Sequence, residues 1–180
     1  MSTMRKLILG LGVASIAAGF FGCADESEGP STAGAESALA QTEANKALAL
    51  RALDEIFNGH DLAKVDEYYA ENFTQHNVEA GEGRESVKQY FGVLFRGFPD
   101  WKAEVEHVVA EGDKVTLFVT WSGTHTGEFF GVAPTGKRVV TRTSDLIRVE
   151  NGKLAEHWDV VADLPMREAL GFVEVKQPQE

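Results

Sequence analysis

A chain of 180 residues with 43% hydrophobic and 25% charged side chains has the composition of one ordinary globular domain. Its formal net charge of −11 would repel a phosphate backbone, and no basic patch offsets it: the 17 Lys and Arg are scattered, with Lys137-Arg138 the densest pair, so nucleic acid is excluded as a natural partner. The single cysteine, Cys23, rules out an intrachain disulfide and any CxxC metal or redox site.

Met1 to Cys23 reads as a secretory signal. Arg5 and Lys6 form a positive n-region, and the run LILGLGVASIAAGFF supplies an apolar h-region, shorter than the about 20 residues a membrane-spanning helix needs. Acidic residues follow at once, at Asp25, Glu26 and Glu28. Cys23 directly after Gly22 resembles the lipobox of bacterial lipoproteins, in which the cysteine sulfur receives a diacylglycerol and becomes the new N-terminus. Phe20 stands where that motif usually has Leu. Ordinary cleavage after Ala24 is the alternative, since Gly22 and Ala24 satisfy the small-residue rule. The first reading predicts an exported protein held to a membrane through a lipid on Cys23, on the periplasmic or cell-surface side. Residues 24–44 are mostly Glu, Ser, Ala, Gly and Thr, with almost nothing large and apolar, and read as a flexible tether.

The folded domain is expected over residues 45–172, with 173–180 as a tail. Leu50, Leu53, Ile56 and Phe57 recur at helical spacing until Gly59 stops the run. Asp61 then caps a second, short helix through Tyr68-Tyr69. Val87, Tyr90, Phe91, Leu94 and Phe95 form the broad apolar stripe of a third, which Phe98-Pro99-Asp100 ends. Strands are expected from there on. Trp101–Ala110 alternates, with Ala103, Val105, His107 and Val109 against Lys102, Glu104 and Glu106; Lys114–Thr124 follows a Glu-Gly-Asp turn. Residues 129–137 read as a loop bearing Gly and Pro. Strands over about 138–150 and 153–163 flank Asn151-Gly152, the strongest hairpin signal in the chain. Helices first and an antiparallel sheet second predict an α+β domain.

This order, with the landmarks FNGHDLAKVDEYYAENFTQHN, FPDW, VVAEGDKV, GTHTGEFFGVAPTGKRV and DLIRVENGKLAEHWDVVADLPMREALG, resembles the SnoaL-like polyketide cyclase family of the nuclear-transport-factor-2-like superfamily. The GTHTG…PTG loop and the ENGK-x-x-EHWD run are its most specific parts. The resemblance implies a cone-shaped barrel: a strongly curved, mainly antiparallel sheet packed against three N-terminal helices around a pocket open at one end. It also implies enolate chemistry without metal or cofactor. There an aspartate is the general acid/base, and His, Asn or Gln side chains orient the substrate.

Enolate chemistry needs a base for a carbon-bound proton and a donor aimed at the oxygen that becomes negative. In EHWDVVAD, strand alternation puts His157, Asp159 and Val161 on one face and Trp158 and Val160 on the other. Asp159 is the first candidate for the base; the alternative turns it and His157 to solvent, with Trp158 in the core. Asp145 shares a face with Val139, Thr141 and Thr143, and the hairpin brings it near Asp159 or His157. It forms either a close carboxylate pair or a surface ion pair with His157. His76 and Asn77 occupy the place where the family contributes a polar pair, and read otherwise as turn residues. His125, in GTHTG, is either a donor to the enolate or an anchor for the loop after it. Phe91, Phe95, Phe118, Trp121, Phe129, Phe130 and Leu146 would divide between pocket lining and core. His60 and His107 read as surface residues, and no HxxxH, HExxH or GxSxG pattern occurs, so neither a metal nor a serine nucleophile is expected.

Three functions are compatible with these residues. The first is a cofactor-free catalyst acting on a small hydrophobic carbonyl compound, with Asp159 as base and His76, His125 or Asp145 assisting, and Asn77, His157, Phe91, Phe95, Trp121 and Phe129 holding the substrate. The second is an exported module that binds a hydrophobic ligand without turning it over. The third is a homodimer formed through the sheet face, with a vestigial pocket.

Overall fold

A computed structural model describes residues 32–77 and 80–174. The signal segment with Cys23 and the last part of the tail lie outside the described residues. Among those described, no helix is long and apolar enough to cross a membrane.

Helix α1 spans Thr32–Ala52, so it begins well before the expected start at Asn45 and includes residues that read as a tether. Leu39 is the one large apolar side chain of the stretch and is exposed, but the stretch is rich in Ala and carries Glu36, Gln41 and Glu43, all good helix formers. Thr32 to Gln41 are exposed throughout. The first buried residue is Asn45, whose Nδ2 donates to the Gly112 carbonyl at 2.9 Å while its Oδ1 accepts from Gln41 Nε2 at 3.0 Å. This amide ties α1 to the turn between the first two antiparallel strands. Asn45→Ala is expected to lower stability by about 1 kcal/mol in urea unfolding, because the Gly112 carbonyl loses its buried partner. An unchanged midpoint would mean that packing alone sets the helix position.

The helix passes into a π-helical turn, Leu53–Asn58, and buries Leu53, Ile56 and Phe57. Gly59 closes it, and a Cβ there would lie 2.4 Å from the Glu55 carbonyl oxygen. Asn58 extends the sheet with its side chain, accepting from Ala103 N at 2.8 Å and donating to Ala103 O at 3.2 Å. The Asp61 carboxylate caps the next turn by accepting from Ala63 N at 3.1 Å. That 3-10 turn, Leu62–Lys64, leads into α2, Val65–Tyr68. Strand β1, Tyr69–Gln75, comes next, then α3, Gly83–Gly97, with Val87 and Leu94 buried on its inner stripe.

Strands β2 (Lys102–Glu111), β3 (Lys114–Thr124), β4 (Arg138–Glu150) and β5 (Lys153–Ala162) complete a five-stranded mixed sheet of order β1-β5-β4-β3-β2. Each consecutive pair from β2 to β5 is antiparallel, whereas β1 joins β5 in parallel. The α+β class and the packing of helices on one sheet face are as the sequence predicts. Val115, Leu117, Val119 and Trp121 alternate inward along β3 against the helices. Helix α4, Leu164–Leu170, adds Met166 and Leu170 to this core and ends at Gly171 with φ 81°.

Two β-bulges decide which side chains face inward. In β2 the register shifts between Val105 and His107, so Val109, expected beside Ala103, is 61% exposed. In β5 it shifts between Leu154, opposite Val149, and Glu156, opposite Arg148. Ala155 is the extra residue, and Leu154 and Ala155 are both buried.

Candidate active site

Helix α3, the inner sheet face and α4 enclose a cavity of about 550 Å³. Phe91, Leu94, Trp121, Phe129 and Met166 supply apolar wall, and Gln75, Asn77, Asp145, His157 and Asp159 converge on it as polar groups. Such a volume suits a drug-sized molecule, and few convergent polar groups in an apolar cleft are what orient one.

The strands set that convergence. Asp145 on β4 and Asp159 on β5 are direct cross-strand partners, and His157 is two residues along on the same face. His157 Nε2 lies 3.1 Å from Asp145 Oδ1, with the two side chains 19% and 13% exposed. The ion pair with His157, considered from sequence as a surface contact, is therefore largely buried at the cavity. Asp145 Oδ2 accepts the Thr143 hydroxyl proton, and Thr143 Oγ1 accepts from Trp121 Nε1 at 2.9 Å. On the parallel side, β1 brings Gln75 Oε1 to 3.0 Å from His157 Nδ1, and Asn77 Nδ2 donates to Asp159 Oδ2 at 2.9 Å. Tyr69 packs behind these groups; burial first, and the Asp145 charge second, push its phenol well up, so it stays protonated.

Several expected site residues sit elsewhere. His76 points away from the cavity, stacked on Trp158 with ring centroids 4.2 Å apart, and its Nε2 meets Glu156 Oε2 at 2.9 Å. That contact, followed by the one with Arg148, holds the Glu156 carboxyl below its usual range. In a strand, alternate residues share a face, so Gln75 and Asn77 reach the cavity and His76 between them does not. Phe95 stacks on His60 at 4.0 Å and is absent from the cavity wall. Phe118 is 41% exposed on the outer sheet face, and Leu146 likewise lines no part of the cavity. Gln75 was not singled out from sequence, although its spacing from Asn77 carried the signal.

His125 is fully buried and lies outside the cavity wall. Its Nδ1 accepts from Thr135 N at 3.3 Å, its N–H donates to Lys137 O at 2.9 Å, and its carbonyl accepts from Gly136 N at 2.9 Å. The ring packs on Phe98 with centroids 5.0 Å apart. It is thus the anchor of the 126–137 loop rather than a donor to substrate. Burial pushes its pKa below 6.5. The folded ring stays neutral while the unfolded one takes up a proton below about 6.5, so acid favours unfolding in that window. Urea midpoints are expected to fall between pH 7 and pH 5, and His125→Asn is expected to flatten that slope.

The ligand atoms of Asp145, His157 and Asp159 lie within 4.8 Å of one another and are the one candidate metal-ligating group among the described residues. His157 Nε2 lies 3.1 Å from Asp145 Oδ1, and Asp159 Oδ2 accepts from Asn77 Nδ2 at 2.9 Å, so each of the three already has a hydrogen-bond partner in the protein.

The sequence profile of the SnoaL-like polyketide cyclase family matches residues 47–170. No curated protein matches the chain. Among solved structures, the chain is similar to AclR from Streptomyces galilaeus, a proposed hydroxylase, at 30% identity and TM-score 0.68, over 74% of this chain and 89% of that one. It is similar to a proposed SnoaL-like polyketide cyclase from Jannaschia sp. CCS1 at 28% identity and TM-score 0.66, over 74% and 96%. A third similarity is to IdmH from Streptomyces antibioticus, a proposed polyketide cyclase, at 31% identity and TM-score 0.60, over 68% and 95%.

Proposed function

Because the chain belongs to the SnoaL-like polyketide cyclase family, we propose that it is a cofactor-free acid/base enzyme that converts a small hydrophobic carbonyl compound through its enolate, by aldol-type ring closure or related chemistry. The observation that carries this reading is the placement of Asp145 and Asp159 as direct cross-strand partners in a cavity otherwise walled largely by aromatic and aliphatic side chains. Asp159 is the base. It takes a proton from the carbon beside the carbonyl, and Asn77 Nδ2 holds its other oxygen in place. Phe91, Trp121 and Phe129 grip the apolar body of the substrate and keep water from the enolate.

The test needs no knowledge of the natural substrate. 2-Tetralone, a bicyclic aromatic ketone, is incubated with protein in deuterated water, and its uptake of deuterium beside the carbonyl is followed by mass spectrometry. Uptake faster than in buffer supports the proposal. Binding of the ketone with no acceleration would sink it and favour a carrier of hydrophobic ligands, to which the same apolar wall is suited.

We propose further that the protein is exported and tethered through a lipid on Cys23, on the strength of the n-region, apolar run and cysteine at the head of the chain. An exported enzyme would not meet a nascent polyketide, so its substrate would be a finished small molecule. Cys23→Ala is expected to move the protein from the membrane to the soluble fraction of the producing cell. Membrane association that persists unchanged would rule out the lipid anchor.

A further inference from the structure

The hydrogen bonds at the polar end of the cavity can be followed proton by proton. An indole only donates, so Thr143 Oγ1 accepts from Trp121 Nε1 and sends its own proton to Asp145 Oδ2. From the other side, the Asn77 backbone N–H donates to Gln75 Oε1 at 3.1 Å, which identifies that atom as the amide oxygen. His157 Nδ1 lies 3.0 Å from the same oxygen and must therefore carry a proton. One contact remains, between His157 Nε2 and Asp145 Oδ1 at 3.1 Å. Two bare acceptors do not face each other at that distance, so a proton lies between them, on the ring or on the carboxyl. Either placement leaves the pair without net charge, and Asp159 is then the one net negative group of the three.

We propose that Asp145 and His157 form one proton-holding unit, oriented by Gln75, that protonates the substrate oxygen while Asp159 removes the carbon-bound proton. The assignment rests on the enolate reading above. In the step, the C–H electron pair becomes the C=C bond, the C=O π pair moves to oxygen, and that oxygen takes the proton held between Asp145 and His157. Asp159 becomes the neutral acid and the pair becomes the anion. The substrate is neutral before and after, and the site carries one negative charge throughout. No charge separation has to be stabilised in the apolar cavity, where an isolated enolate would be costly. Gln75 acts as a positioning residue: by accepting from Nδ1 it keeps Nε2 as the ring atom that shares the proton with Asp145.

Long-range 1H–15N spectra of the 15N-labelled full chain at neutral pH test the unit directly. The expected result is a protonated Nδ1 on His157 and a hydrogen-bonded proton between Nε2 and Asp145. Gln75→Leu is expected to mix the two ring tautomers, and Gln75→Glu, which keeps an oxygen acceptor, is expected to preserve the wild-type pattern. In the 2-tetralone assay, Asp145→Asn is expected to slow exchange by about 10²-fold. An unprotonated Nδ1 in the wild-type protein overturns the proposal, and so does wild-type exchange in Asp145→Asn. If wild-type protein exchanges no deuterium at all, it is the enolate reading that fails, and the ring signals decide the proton-holding pair alone.

Discussion

Asp159→Asn is expected to lower deuterium exchange into 2-tetralone by about 10³-fold, with the fold retained. The replacement has the same shape, and its amide oxygen can still accept from Asn77 Nδ2, which in the wild-type protein stands 2.9 Å from the carboxylate. What it lacks is a basic oxygen. The loss should therefore appear in the rate at saturating ketone, with half-saturation nearly unchanged, because the aromatic wall that binds the ketone is untouched. Circular dichroism and the urea midpoint should match wild type. Exchange within about twofold of wild type would move the base elsewhere and remove the central residue of the proposed function.

The second large effect concerns the loop that closes one side of the cavity. Thr126 N and Gly127 N both donate to the Gly97 carbonyl at 3.0 Å, so the GTHTG segment lies directly on the last turn of α3. A Cβ at Gly127 would stand 2.0 Å from the Arg96 carbonyl oxygen, and one at Gly97 would stand 2.9 Å from Phe129 Cβ. Neither the helix end nor the loop can yield by such distances without breaking these bonds. Gly127→Ala is expected to cost about 3 kcal/mol and to lower the melting temperature by roughly 10 °C. Thermal unfolding checks it. A shift of less than about 2 °C would mean that loop and helix separate freely. Because Phe129 lines the cavity just after this contact, ketone binding should weaken as well.

The helices and the hairpin were legible because their signals are local. The stripe from Val87 to Phe95 lies on one side of α3, and Asn151 and Gly152 take φ 50° and 71° at the turn their pairing predicts. The early start of α1 was hidden because helix propensity without an apolar face looks like a tether. The parallel partnership of β1 was hidden too, since nothing in the run YAENFTQ names the strand it will join. Histidines drew attention for their chemistry, yet His76 and His125 serve the outer face and the loop, and Gln75 took the place at the cavity expected of His76. Alternation located His157 and Asp159 on one face, but it could not say which residue of β4 would oppose them. That depends on a bulge, and a bulge has no strong mark in composition. The same gap misassigned Val109 in β2.

The extra residue at Ala155 has a consequence for how such a site can arise or be lost. Counting from the turn, Glu150 meets Lys153 and Val149 meets Leu154; continued without interruption, that register would set Asp145 opposite Trp158. The bulge advances β5 by one place, and Asp145 meets Asp159 instead. Cross-strand partners share a face, so a ladder that took in Ala155 without the bulge would send His157 and Asp159 to the outer surface and bring Trp158 and Val160 inward. Loss of one residue before His157 would instead remove the bulge and leave Asp145 opposite Asp159. A lineage carrying this fold can exchange side chains one at a time and leave the arrangement of its inner face intact. Gain of a single codon in this short stretch, with the bulge still holding one extra residue, inverts it at a stroke, and loss of one only straightens the strand.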